Sequence, residues 1–282
     1  MSEKPVITPL PIVGLADYHV HCDYSVDAEG SIDDFCDAAL KRRLTEICFT
    51  THYDTNPSAA SGDCFIRFGG KNHPASPDNL EPYVAEVLQA NDKYYSLGVS
   101  VKLGVEIGWW DGCAESVARL RERFAFDHVL CGVHEVDNRD ICSPRFSEYF
   151  KNYPIRDFAA GYFQQAVDAA RTGLFDAIAH LGYYVRFGYA HYGESIYKIH
   201  EPLMNKLFEA LRQSDTSLEV NTSAIRHGFH HYYPHMPLLN AARTSGVEVR
   251  FLGSDAHRPE QIGLDFDAAS ALVPDTAAPC ED

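Results

Sequence analysis

Seven short, nearly continuous apolar runs punctuate this chain, at 15–20, 46–50, 101–107, 128–133, 176–179, 217–220 and 247–253. Runs of this length without polar alternation suit strands covered on both faces. Between them, apolar positions recur at helical spacing. In 31–43, Ile32, Phe35, Ala39 and Leu40 share one side, behind the capping-box-like start Ser31-Ile32-Asp33-Asp34. In 78–97, Leu80, Val84, Val87 and Leu88 form a second stripe. The same reading predicts helices over 114–124, 155–173, 200–214, 236–245 and 259–271. A strand–helix unit repeated seven times calls for parallel strands joined by crossovers, an α/β architecture. Two segments break the rhythm. Residues 55–77 are polar and rich in Gly, Ser, Asn and Pro, and connections this long often serve as lids or binding loops. Residues 222–235 are irregular and hold Arg226, His227, His230, His231 and His235.

The chemistry lies at the ends of the runs. His19 and His21 close the first, and period-two geometry aims both imidazoles to one face. His52 follows the second run, Glu106 ends the third, His134 follows the fourth and His180 the fifth. Asp255 and His257, again two apart, follow the seventh. In an α/β barrel the C-terminal strand ends converge on the active site. The 282 residues fit one such barrel, with residues 1–282 as a single domain. A lone histidine at a strand end is usually a polar cap; the joint pattern is what points to metal. Imidazoles with a few carboxylates suit zinc, iron or manganese, whereas an all-oxygen set would suit magnesium or calcium. One ion needs three or four protein ligands, so eight candidates imply at least two ions, with Glu106 as the natural bridge. Two such ions can activate water and neutralise a phosphoryl group.

Composition narrows the setting. A net charge of −16 argues against a nucleic-acid partner, which needs a basic surface. Hydrophobic residues make up 45%, enough for a large core, yet no apolar stretch approaches the roughly 20 residues of a membrane span. Residues 1–15 lack the apolar core of a signal peptide. The eight cysteines contain no CxxC pair, so thiol zinc ligation is not expected and a reducing cytoplasm is.

The motifs Asp17-Tyr18-His19-Val20-His21, Thr50-Thr51-His52, Gly104-Val105-Glu106, Gly132-Val133-His134, Ala179-His180 and Gly253-Ser254-Asp255-Ala256-His257 together resemble the PHP (polymerase and histidinol phosphatase) superfamily. They occur in its order from about residue 15 to 265. The segments Glu219-Val220-Asn221-Thr222-Ser223 and Ser254-Asp255-Ala256-His257-Arg258-Pro259 look most like its histidinol-phosphate phosphatase branch. The resemblance implies a distorted TIM-like (β/α)7 barrel holding two or three divalent ions (Zn, Fe or Mn). Carried over by position, His19, His21, Glu106 and Asp255 would hold one ion, and Glu106, His134 and His180 a second. Asp27, His52 and His257 would hold a third, with Asp23 a nearby competitor for Asp27. Asp17 would orient an imidazole from behind. The chain departs from the branch after the fifth strand, where His180-Leu181-Gly182 stands in place of His-Pro-Asp.

The implied activity is hydrolysis of a small phosphate monoester, L-histidinol phosphate first. Another small phosphorylated metabolite such as a nucleotide is the alternative, and a non-catalytic metal- or phosphate-binding barrel the next. Glu106, Asp255 and His257 are the expected catalytic groups. Arg186 and Arg226, after the fifth and sixth strands, are the expected phosphate clamp. His230, with His231, is expected to line the substrate pocket, and Arg67 and Lys71 to reach in from the long loop.

Overall fold

The structure is a computed structural model that describes residues 15–59 and 64–273. All seven apolar runs form parallel strands: β1 (Ala16–Val20), β2 (Glu46–Phe49), β6 (Ser100–Gly108), β7 (His128–Gly132), β10 (Ala177–Ile178), β11 (Ser217–Asn221) and β12 (Val249–Gly253). A two-residue strand β3 (His52–Tyr53) continues β2 past a break and pairs with β6. Hairpins β4 (Phe65–Phe68)–β5 (Lys71–Pro74) and β8 (Glu135–Val136)–β9 (Arg139–Asp140) lie outside this sheet. The parallel strands run β1-β2-β6-β7-β10-β11-β12. The ends meet where Val20 bridges Ala256 and the His21 amide donates to the Ala256 carbonyl at 2.8 Å. The result is a nearly closed seven-stranded barrel. Its strands are buried because helices cover the outside: β7 and β11 are buried at every residue.

The helices are α1 (Ile32–Arg42), α2 (Pro77–Tyr94), α3 (Ala114–Arg123), α4 (Ile155–Arg171), α5 (Val185–Tyr192), α6 (Met204–Ser214), α7 (Ser223–Arg226), α8 (Met236–Thr244) and α9 (Phe266–Ala269). The capping box at α1 is present: Ser31 Oγ accepts from the Asp34 amide at 3.3 Å, and Asp34 returns the bond to the Ser31 amide at 2.9 Å. Helix α2 starts on a Ser76 cap with Pro77 in its first turn. Its Tyr83 hydroxyl contacts the carbonyls of Phe49 (2.7 Å) and Gly104 (2.8 Å), tying the helix to β2 and β6.

Three expectations change. The helix predicted over 259–271 is broken into a 3-10 turn at Pro259–Gln261, the one-turn α9 and a second 3-10 turn at Ser270–Leu272. Gly263 and Asp265 both adopt left-handed backbone (φ +60° and +62°), which a helix cannot pass through. The polar stretch 55–77 holds the β4–β5 hairpin, turned by Gly69-Gly70 at φ +56° and +72°, the positive pair a tight hairpin needs. It is anchored by buried Ile66 and by the Arg67 amide, which donates to the Tyr24 carbonyl at 2.8 Å. Helix α5, unpredicted, follows β10 and fills part of the wall above the barrel mouth.

Candidate metal centre

Every strand end singled out by its histidine or carboxylate opens at the same mouth. Glu106, fully buried on β6, stands at the centre. Its Oε2 lies 3.2 Å from His19 Nε2, 3.4 Å from His21 Nε2 and 3.2 Å from His52 Nδ1. Its Oε1 lies 3.0 Å from His134 Nε2 and 2.9 Å from His180 Nε2. One carboxylate therefore addresses two sets of imidazoles, one with each oxygen. Asp255 Oδ1 joins the first set, 3.6 Å from His19 Nε2 and 3.4 Å from His21 Nε2. On the outer side, Asp27 Oδ2 is 3.3 Å from His257 Nε2 and 3.7 Å from His52 Nε2. Asp27, rather than Asp23, makes these contacts. His257 Nδ1 is also 3.5 Å from Asp255 Oδ1, linking the outer set to the first.

These donors fit divalent ions. Bonds of about 2.0–2.2 Å place the ligands of a tetrahedral ion roughly 3.4 Å apart, the spacing seen here. Four overlapping groups of three donors have all their atoms within 4.8 Å of one another. His21 Nε2 and His52 Nδ1 are buried without a hydrogen-bond partner, aimed into the cluster. Burial and the neighbouring His52 and His257 push His21 down to about 4, so it stays neutral with a free lone pair. Burial also disfavours charge on His19, yet Glu219, Glu106 and Asp255 lift it well above the usual imidazole range. Burial likewise opposes charge on Glu106, but His19, His134 and His180 hold it well below the usual carboxylate range. The carboxylates demand positive charge, which protonated imidazoles or bound cations can provide.

The surrounding residues fix this geometry. His21 Nδ1 is 3.2 Å from Ser25 Oγ, which also accepts from the His52 amide at 3.1 Å. His134 Nδ1 is 3.7 Å from Asp54 Oδ1. Glycines make room: a Cβ on Gly132 would overlap His134 Nε2 and Glu106 Oε1, and one on Gly253 would overlap Glu219 Oε1 and His19 Cβ. Asp17 does not orient an imidazole. Its Oδ1 accepts from the amides of His19 (3.3 Å) and Ser254 (2.9 Å), and its Oδ2 from that of Gly263 (2.9 Å). It bolts β1 to the chain after β12, and the side chain behind His19 is Glu219 instead.

A cleft of about 570 Å³ opens over the cluster. His52, His134, His180, Asp255 and His257 form its floor, and Arg186 and Arg226 reach it from one side. Arg186, in the first turn of α5, hydrogen-bonds the Tyr183 hydroxyl and lies over the Phe187 ring at 4.9 Å. Arg226 gives Nη1 and Nη2 to the carbonyls of Ser254 (2.6 Å) and Asp255 (2.8 Å), so it braces the Asp255 turn. His230 is exposed and outside the cleft lining; His227, one turn earlier, lines it. Within the crowded 226–231 segment no periodicity separated these histidines. His231 meets the Tyr197 hydroxyl at 3.1 Å. Arg67 turns away from the cleft and holds the carbonyls of Val26 and Ala28 (3.3 Å to Ala28), steadying the loop that carries Asp27. Lys71 is exposed on β5. The lining also includes the carboxylates Asp54, Glu135 and Asp140.

The model of the PHP domain family matches residues 17–223, most of the chain, from within β1 through β11. The chain belongs to the PHP domain family. Among curated PHP relatives, a protein from Deinococcus radiodurans named "Probable histidinol-phosphatase" is 28% identical over 255 residues, covering 90% of this chain and 91% of the relative. The histidinol-phosphatase of Lactococcus lactis is 23% identical over 260 residues, covering 91% and 89%. In fold, this PHP barrel is similar to the crystal structure of histidinol phosphate phosphatase from Lactococcus lactis in complex with zinc, L-histidinol and phosphate. The TM-score is 0.73, at 21% identity over 93% of each chain.

Proposed function

We propose that this PHP protein is a metal-dependent phosphatase that converts L-histidinol phosphate to histidinol and phosphate. The observation that carries the reading is Glu106, whose two oxygens are shared between two imidazole sets beneath and along an open cleft. In this reading His19, His21, Glu106 and Asp255 hold one divalent ion, and Glu106, His134 and His180 a second. Asp27, His52 and His257 hold a third, the ions being zinc, iron or manganese. Bound there, such ions lower the pKa of water and neutralise charge on phosphoryl oxygens. Glu106, Asp255 and His257 matter most to catalysis because each touches more than one donor set.

The walls supply recognition. Arg186, fixed by the Tyr183 hydroxyl, presents a guanidinium to the phosphate's equatorial oxygens. Arg226 supports it from behind the Asp255 turn, with His227 beside both. L-Histidinol phosphate carries an ammonium and an imidazole away from its phosphate. The carboxylates of Asp54, Glu135 and Asp140 complement that positive end, as a neutral sugar phosphate would not require. Relatives named for histidinol-phosphatase activity match along nearly the whole chain, which supports the same choice. Among the described residues, Cys22, Cys36, Cys48, Cys113, Cys131 and Cys142 are free thiols and no helix is long and apolar enough to cross a membrane. The thiols support a reducing, cytoplasmic setting.

The reading is tested by phosphate release from L-histidinol phosphate by the zinc- or manganese-loaded protein. Arg186→Ala is expected to remove a charge-assisted contact of about 1.5–3 kcal/mol, lowering kcat/KM roughly 10–100-fold. Metal content should not change. A variant within twofold of the parent would remove Arg186 from the phosphate site.

A further inference from the structure

Strand β11 is the one stave of the barrel that gives no donor to the metal cluster, yet it carries a carboxylate in its buried middle. Three donors converge on Glu219. His19 Nδ1 lies 2.7 Å from Oε1, and the His180 amide donates to Oε2 at 2.7 Å. Asn221, two residues along the strand on the same face, donates Nδ2 to Oε2 at 3.1 Å. Glu219 is fully buried, so each of these bonds is made without competition from water. Gly253 on the neighbouring strand has no Cβ, and a Cβ there would occupy the space of Glu219 Oε1 and crowd His19.

We propose that Glu219 is a positioning residue for the metal centre, acting on two of its ligands at once. A carboxylate can only accept, so the His19 nitrogen facing it carries the proton. When an ion displaces the other ring proton, the lone pair is then the one on Nε2, which points at Glu106 and Asp255. The negative charge behind the ring also makes Nε2 a stronger ligand. The second oxygen acts on backbone. His180 adopts φ +27°, a left-handed conformation that costs a non-glycine residue free energy and persists only when its surroundings impose it. The bond from its amide to Glu219 fixes the turn that aims His180 Nε2 at Glu106 Oε1. One side chain thus orients a ligand from each of the two imidazole sets that Glu106 joins.

The inference rests on the metal-centre reading above, and its test separates the two. Metal-free protein is titrated with zinc alone. Glu219→Gln keeps the shape but replaces one acceptor by an amide donor, leaving at least one of the three donors facing it unpaired. Zinc affinity is expected to fall about 10–100-fold at the sites served by His19 and His180. In the zinc-loaded parent protein, nitrogen-15 NMR of the histidine rings should show the His19 proton on Nδ1 and none on Nε2, a readout that needs no variant. A folded Glu219→Gln protein with zinc affinity within twofold of the parent, or a zinc-loaded parent whose His19 proton sits on Nε2 in place of Nδ1, overturns the role of Glu219. A parent protein that binds no zinc instead overturns the metal-centre reading itself.

Discussion

Glu106→Gln is expected to lower kcat/KM for L-histidinol phosphate by at least about 10³-fold. The change is isosteric, so packing around β6 is kept and the barrel should stay folded. What it removes is one negative charge and one acceptor at the point where five imidazoles meet. Whichever way the amide turns, its nitrogen replaces one of the two oxygens that face the imidazole sets and offers a bound ion no lone pair. One ion then loses a ligand and the other loses the shared charge. Losing about 4 kcal/mol of transition-state stabilisation, a modest share for metal catalysis, corresponds to the stated factor. Steady-state kinetics with metal analysis by mass spectrometry checks it, alongside circular dichroism for the fold. Activity within tenfold of the parent, at full metal content, would remove Glu106 from the centre of the mechanism.

Stripping the metals should cost both activity and stability. Phosphate release should fall to background after chelation and return when zinc or manganese is restored. The stability effect follows from mass action: an ion present at 100 times its Kd contributes about 2.7 kcal/mol. For a chain of this size that is a Tm shift of roughly 5–10 °C per ion. The direction is argued from the site. Asp27, Glu106 and Asp255, with Glu219 behind them, gather at one mouth, and once cations leave their charge is offset chiefly by histidine protonation. Differential scanning calorimetry before and after chelation measures the shift. An unchanged Tm and unchanged turnover in protein verified to be metal-free would contradict both halves.

Much of this was legible in the chain. The barrel could be read because its strands are buried on both faces and so stand out as unbroken apolar runs. The cluster could be read because parallel strands all deliver their C-terminal ends to one mouth. His19 and His21 share a face for the same reason that Glu219 and Asn221 do. Yet Glu219 went unassigned, since a carboxylate inside the run Ser217–Asn221 looks from the sequence like a lone exception. Its meaning depends on which strand lies across the barrel. Arg226 shows the converse. Its position after a strand suggested an anion site, but the carbonyls of Ser254 and Asp255 lie closer than any cleft ligand could be foreseen to lie. The β4–β5 hairpin was hidden by composition: polar residues dominate, and the signal was only the Gly69-Gly70 pair between Phe65–Phe68 and Lys71–Pro74. The final helix failed at Gly263 and Asp265, where a bond to Asp17 outweighed helical propensity.

The central claim is the substrate. The most direct measurement compares kcat/KM of the metal-loaded protein for L-histidinol phosphate with that for a panel of nucleoside monophosphates and sugar phosphates. A cleft lined by an arginine and by the half-buried carboxylates Asp54, Glu135 and Asp140 should favour L-histidinol phosphate by at least about 100-fold, because only a cationic leaving group gains from those carboxylates. A nucleotide or sugar phosphate turned over faster than L-histidinol phosphate would contradict the account, as would a protein with its metals bound that hydrolyses none of them.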